Sequence, residues 1–465
     1  MSGNWFNFLP LTPCEIIVHL RFPLLITFII FFGTACSLLQ GPQSVAVPTP
    51  VPLVPVSSQT EGVPELVIDP VSEIVPNLDP DIQTLMASVS QQQLIGYVQT
   101  LENFQTRNTF SVTDDPAVGI GAARLWIQNE FLRVGNGRLL VQADDFPVTQ
   151  NGTTYNQQNI VATLPGSSNH RGVLVLSAHY DSRTINPGDA NGFAPGADDN
   201  ASGVAAMLEI ARLVSSRTWN QTIVFVAFAA EEQGRHGSIH YVNEQRLNGT
   251  QFDGVINMDI VGGRPEIPQS IRLFTPGPDV APTMQLARYV NYMGGLYVPQ
   301  FPITVIDALD REGRYSDHIT FLEAGVPAVR LTESVEDPNR QHNALDTWDG
   351  IDYNYLTQVT QLNLAAVVNI IGAPAQPQAP LIAPMSEAGA YILTWDRDPN
   401  AAGYALSFRP AGSTTYPPFR YVSALQSGNV AITGLDPNTT YYVSMAAFDG
   451  NGRISLFSPE TPVGP

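Results

Sequence analysis

Six short runs rich in valine and isoleucine constrain this chain most: QNIVATL (158–164), GVLVLSA (172–178), QTIVFVAFA (221–229), GVINMDIV (254–261), IRLFT (271–275) and VPAVRLTE (326–333). Most are near-continuously apolar, the pattern of strands covered on both faces. Stretches with helical apolar spacing lie between them, at Ala201–Val214, Pro282–Met293, Tyr315–Ala324 and Tyr353–Ile371. Two more precede them, over 82–101 and 119–134. Alternating strands and helices predict an α/β domain over residues 81–373, with a mostly parallel central sheet and helices on both faces.

The chemistry gathers where those strands end. His179 and Asp181 follow GVLVLSA in AHYDS, and Asp199 lies in GADDNASG. Glu231 and Glu232 follow QTIVFVAFA, Asp259 closes GVINMD, and His342 lies in RQHNALDT after VPAVRLTE. Open α/β sheets bind ligands beyond the carboxyl ends of their strands, so these residues are expected to converge. Imidazole and carboxylate suit zinc. The only cysteines, Cys14 and Cys36, lie near the N-terminus, so no thiolate site is expected in the folded part. Two metals sharing a carboxylate would polarise a carbonyl and supply hydroxide, with bound water at a pKa of about 7. A separate carboxylate must then move the proton. Neighbouring Glu231 and Glu232 can divide these tasks. Asp198 and Asp199 repel one another, and a shared dication would explain one of them; Asp198 is expected in a turn, with Asn200 or Ser202 capping the next helix.

Other classes are disfavoured. The formal charge is −20, which argues against nucleic acid and against attraction to an anionic membrane. No G-x-S-x-G elbow occurs. His236 and His240 share a helix spacing without H-E-x-x-H and are read as a solvated face.

The motifs HYDS, GADDNASGVAAMLEIAR, FVAFAAEEQGRHGS, INMDIVG, SDHITFLEAGVPAV and QHNALDT occur in that order. On these motifs residues 81–372 resemble the di-zinc aminopeptidases of metallopeptidase family 28. The resemblance implies two Zn²⁺ per chain, with His179 and Asp259 on one, Glu232 and His342 on the other, and Asp199 bridging. It implies Glu231 as general base, and Asp181 as the group that fixes the ring of His179. Tyr315 is a candidate for steadying the tetrahedral intermediate. Asp317 and His318 are read as structural, and Asp346 and Thr347 as a brace for His342 or a turn. The implied function is an exported aminopeptidase acting on peptides or proteins through zinc-bound hydroxide. Alternatives on the same fold are a one-zinc glutaminyl cyclase-like acyl transferase and a carboxypeptidase, for which Arg264, Arg311 and Arg314 are basic candidates. A catalytically silent adhesion protein is the alternative from another class.

The ends carry different signals. FPLLITFIIFFGTAC (22–36) follows Arg21. It is short for a spanning helix, which needs about 20 residues, and fits an export signal over residues 1–36. Gly33, Thr34, Ala35 and Cys36 resemble a bacterial lipobox, with Gly33 where that motif usually has Leu. That implies lipidation of Cys36 and membrane attachment; a plain signal peptide and an uncleaved anchor are the alternatives, and all three export the chain. Residues 37–80 read as a Pro-rich linker, and 374–380 as a second linker. Residues 381–465 resemble a fibronectin type III domain on LTW with Trp395, Tyr404, and LDPNTTYYV with Leu435 and Tyr441. This region is expected to act as a spacer or to bind a surface polymer or protein.

Overall fold

The computed structural model describes residues 67–68, 76–168, 172–426 and 428–465. The export segment, Cys36 and most of the first Pro-rich linker lie outside the described residues. After a two-residue strand, β1 (Val67–Ile68), come helices α1 (Pro80–Ala87), α2 (Gln91–Asn103) and α3 (Gly119–Gly135). The 82–101 stretch, read as one helical segment, is two helices. Ser90 caps α2 by accepting the N–H of Gln93 through its side chain, because a serine oxygen satisfies a donor that a helix start leaves free.

The central sheet is built from β2 (Leu140–Gln150), β3 (Thr153–Leu164), β4 (Val173–His179), β5 (Ile223–Phe228), β6 (Phe252–Met258), β7 (Ile271–Phe274), β8 (Ile303–Ile306) and β9 (Ala328–Glu333). Its order is β2-β3-β5-β4-β6-β9-β7-β8. The middle strands β5, β4, β6 and β9 run parallel, while β2, β3 and β7 join antiparallel. The chain moves to opposite sides of β4 after β4 and after β5. That reversal opens a crevice beyond the carboxyl ends.

Helices α4 (Ser202–Val214), α6 (Pro282–Tyr297) and α8 (Tyr353–Gly372) cover one face. Helices α5 (His236–Leu247) and α7 (His318–Glu323) cover the other, over Val161, Val175, Val226 and Phe228. The first of these, α4, is buried on nearly every side. Its Glu209 is fully buried, accepts the N–H of Ser90 at 2.6 Å and pairs with Arg212 at 2.7 Å. A buried carboxylate needs such partners, since desolvation would otherwise neutralise it.

Residues from 381 onward form strands β10 (Leu381–Pro384), β11 (Tyr391–Thr394), β12 (Gly403–Pro410), β13 (Arg420–Ser423), β14 (Asn429–Ile432), β15 (Tyr441–Phe448) and β16 (Thr461–Val463). They make two antiparallel sheets, β14-β11-β10 with β1 added at the edge, and β13-β12-β15-β16. Leu393, Trp395, Tyr404, Leu406, Val430 and Met445 pack between them. The second sheet also packs on the α/β part: Phe448, Ile454 and Phe457 share the main core, and Tyr292 of α6 meets Phe419 edge-on at 4.9 Å.

An ion network crosses that boundary. Arg409 of β12 holds Glu460 through two bonds of 2.8 and 2.7 Å and reaches Asp279 at 2.8 Å. Arg288 of α6 bonds Asp279 at 2.5 Å and lies 3.6 Å from Glu460. The side chains of Arg288, Arg409 and Glu460 are fully buried. Removing one partner from such a network strands charge in a low dielectric, at a cost of about 3–5 kcal/mol. Glu460→Ala is therefore expected to lower the stability of the full chain by that order, read as a shift in the urea midpoint. An unchanged midpoint would show that the boundary is not held this way.

Candidate metal centre

The carboxyl ends of β4, β5, β6 and β9 place the sequence-selected residues around one cavity of about 200 Å³, lined by His179, Asp199, Glu231, Glu232, Asp259 and His342 among others. His179 ends β4, Asp259 follows β6 directly, and Glu231 and Glu232 lie just past β5. Asp199 and His342 come from the loops after β4 and β9. Three of the backbones here are left-handed without being glycine: Ala230 at φ 57°, Ile260 at 60° and His342 at 59°. Such a φ is unfavourable, most of all for a β-branched residue. Its concentration beside one cavity marks a place where the surrounding fold dictates backbone direction.

Two groups of ligand atoms form. His179, Asp199 and Asp259 make one, and Asp199, Glu232 and His342 the other, with atoms in each group within 4.8 Å of one another. Asp199 belongs to both. Its Oδ1 lies 3.3 Å from His179 Nε2, and its Oδ2 lies 3.1 Å from His342 Nε2. Asp259 Oδ1 is 3.2 Å from the same His179 nitrogen, and Glu232 Oε2 is 3.3 Å from His342 Nε2. Asp181 stands behind His179, its backbone oxygen 3.2 Å from Nδ1. The Asp181 carboxylate accepts the N–H groups of Glu231 and Glu232, both at 3.1 Å. One residue thus sets both the ring and the start of the glutamate pair.

The electrostatics suit a cation. For both imidazoles burial opposes the charge, yet carboxylates outweigh it. Asp259, Asp181 and Asp199 hold His179 well above its ordinary value, and Asp199 with Glu232 pushes His342 up to about 9. Burial raises Glu231 well above the carboxylate range; His179 opposes this, and Glu232, Asp317 and Asp259 add to it. A site that draws protons onto its bases this strongly also draws a divalent ion. Glu232 Oε1 is buried without a hydrogen-bond partner, a donor atom that a metal would satisfy. The donor set fits zinc.

Several supporting groups were not legible in the sequence. Arg330, fully buried on β9, grips Asp310 at 2.7 and 2.6 Å and reaches Asp259 Oδ2 at 3.0 Å. Against burial, Arg330 and His179 hold the Asp259 carboxyl well below its usual range. Asp346, expected as a brace for His342 or a turn residue, accepts the N–H groups of Asp198 and Asp199 at 2.8 and 3.0 Å. Thr347 bonds Asp349. Asp198 turns away and accepts the N–H of Gly262 at 2.7 Å. Asn200 Oδ1 accepts the N–H of Gly203 at 3.0 Å in the first turn of α4. His318 faces Leu309 O through Nε2 at 2.8 Å, and burial lowers it to about 4. His240 bonds Asp144 at 3.0 Å and stacks on Phe146. Tyr315 precedes α7 and borders the cavity, 47% exposed.

The model of Peptidase family M28 matches residues 159–367. A probable zinc metalloprotease of Pyricularia oryzae is 31% identical, over 78% of this chain and 82% of the relative. The chain belongs to peptidase family M28. Two solved structures share its fold. LapB from Legionella pneumophila has TM-score 0.53 and 24% identity, covering 63% of this chain and 75% of LapB. The LapA aminopeptidase of the same organism has TM-score 0.51 and 22% identity, over 64% and 76%.

One contributor to this M28 centre comes from outside the matched segment. Arg107 is fully buried and bonds backbone oxygens only: Tyr180 at 2.6 Å, Leu101 at 3.1 Å, Pro195 at 2.6 Å and Gly196 at 2.8 Å. It ties the loop after His179 to the loop before Asp199. Gly196, at φ 52°, leaves the space this needs, since a Cβ there would lie 2.8 Å from the guanidinium and 2.6 Å from Asp199 O. Groups that orient ligands typically matter by 10–100-fold in metal affinity. Arg107→Met is expected to weaken zinc binding by about that factor, measured by competition with a chromogenic chelator. Wild-type affinity in a folded variant would remove Arg107 from this role.

Proposed function

We propose that the chain is an aminopeptidase that removes N-terminal residues from peptides or proteins with two zinc ions. His179 and Asp259 would hold one, Glu232 and His342 the other, and Asp199 both. The observation that carries this reading is Asp199, whose two oxygens face the two imidazoles one each. Bound zinc supplies a Lewis acid for the scissile carbonyl and lowers the pKa of a water to about 7. Glu231 belongs to neither ligand group and lines the same cavity. It takes a proton from the attacking water and delivers it to the departing amine. Asp181 keeps the ring of His179 in place and fixes the backbone of Glu231 and Glu232. Tyr315 offers a hydroxyl at the cavity edge to steady the oxygen of the tetrahedral species. A one-zinc acyl transferase would leave one of the two ligand groups without a metal.

The reading extends to both ends. The C-terminal strand sequence, with β10, β11 and β14 in one sheet and β13, β12, β15 and β16 in the other, supports a fibronectin type III-like sandwich. The Tyr441 hydroxyl, 3.3 Å from the Asp436 N–H it accepts, supports it further, as a tyrosine corner. The leader and Cys36 support export with attachment through a lipid. No helix among the described residues is long and apolar enough to cross a membrane.

Glu231→Gln is expected to lose about 10²–10⁴-fold in kcat on aminoacyl anilides while keeping two zinc ions per chain by elemental mass spectrometry. Turnover at the wild-type rate would remove Glu231 as the base, and one zinc in the active wild-type chain would favour the cyclase reading. Cys36→Ser is expected to move the chain from the membrane fraction to the soluble exported fraction; retention on the membrane would rule out a lipid on Cys36.

A further inference from the structure

Three arginines, Arg183, Arg311 and Arg314, line the same cavity as the ligand groups, with Gly313 and Tyr315. Arg183 is already committed, its Nε 2.7 Å from Glu232. Arg311 bonds Glu336 and Asp310, whereas Arg314 has only a 3.6 Å ion pair with Glu336. Glu336 serves Arg272 at 2.5 Å, Arg311 through its Nη1, and Arg314 at 3.6 Å. Asp310 accepts Arg330 Nη1 on both oxygens at 2.7 and 2.6 Å, and Arg311 Nε on Oδ1 at 3.2 Å. Four guanidinium groups (Arg272, Arg311, Arg314, Arg330) thus face two carboxylates, Glu336 and Asp310. Counting Asp259 against Arg330, with Glu333 held by Arg264 at 3.0 Å, still leaves one positive charge over. Among the described residues, the Arg314 guanidinium makes no hydrogen bond, and its side chain is 36% exposed.

The rest of the chain makes this surplus unusual. The formal charge is −20, all 22 basic residues are arginine, and 42 residues are acidic. An acidic chain that leaves guanidinium groups short of carboxylate at the mouth of its metal centre has made room for a carboxylate from elsewhere. Guanidinium is the side chain whose fork matches a carboxylate through two parallel bonds.

We propose that Arg311 and Arg314 form a subsite for a substrate carboxylate, so that the enzyme prefers peptides carrying a carboxylate next to the scissile bond. This rests on the peptidase reading above. The same small cavity holds both the ligand groups and these arginines, so the carboxylate belongs to a residue flanking the cleaved bond and not to a distant part of the substrate. Its source is either the free C-terminus of a dipeptide or an Asp or Glu side chain. In both cases the incoming group replaces water on Arg314 and competes with no existing hydrogen bond there.

The test uses the full zinc-loaded chain and matched pairs: Leu-Leu against Leu-Leu-amide, Leu-Asp-amide against Leu-Asn-amide, and Asp-Leu-amide against Asn-Leu-amide. At least one pair is expected to favour the carboxylate tenfold or more in kcat/KM, and the pair that does so names the source. In Arg311→Gln/Arg314→Gln that ratio is expected to fall towards one. Arg314→Glu, at the exposed position, is expected to turn the ratio against the carboxylate. Calorimetric titration of the same pairs into Glu231→Gln reads the preference without turnover, so it stands or falls apart from the peptidase reading. Equal handling of all pairs by the wild type in kinetics and titration, or a preference that survives in the folded double variant, overturns the subsite.

Discussion

Everything around this centre answers one problem, the mutual repulsion of carboxylates brought together out of water. Asp199, Asp259, Glu231 and Glu232 meet where four parallel strands end. Their charges are offset from several directions: by His179 and His342, and by Arg330 behind Asp259. None of these offsets is local in sequence. The fold is therefore a device for delivering distant counter-charges to a place where local sequence alone would be unstable.

The division of labour within the crowd follows from backbone geometry. Asp199 can face two imidazoles because Arg107 and Asp346 fix the loop that carries it on both sides. Glu231 and Glu232 are neighbours, yet only Glu232 enters a ligand group, because Asp181 binds both of their N–H groups and sets the chain direction at the end of β5. Membership of the M28 family states what such a centre is for in general. The arrangement of these side chains states how this chain can do it.

Much of this was legible beforehand, for a physical reason. Central strands are covered on both faces and so are written in unbroken apolar residues, which located β3 to β7 and β9. Edge strands are half solvated and are not. β2 carries Asp144, Asp145 and Pro147 and is largely uncovered, and β8 has only four residues; neither stood out. The ligands were readable because each follows a readable strand end. Arg107 and Arg330 were not, because what makes them important is which carbonyls and carboxylates surround them, and that is tertiary information. The stretch Tyr315–Ala324 gave a shorter helix than its spacing suggested, His318–Glu323, because Tyr315 belongs to the wall of the cavity.

The sandwich is joined to α6 through buried guanidinium–carboxylate contacts and shares its core with the α/β part, so it behaves as a wall of the same body. Those contacts, like every other ion pair here that does not involve histidine, use arginine, because the chain contains no lysine at all. A chain without lysine offers no side-chain amine to reagents such as succinimidyl esters. Such reagents would leave the arginines that line the cavity, and those that join the sandwich to α6, untouched.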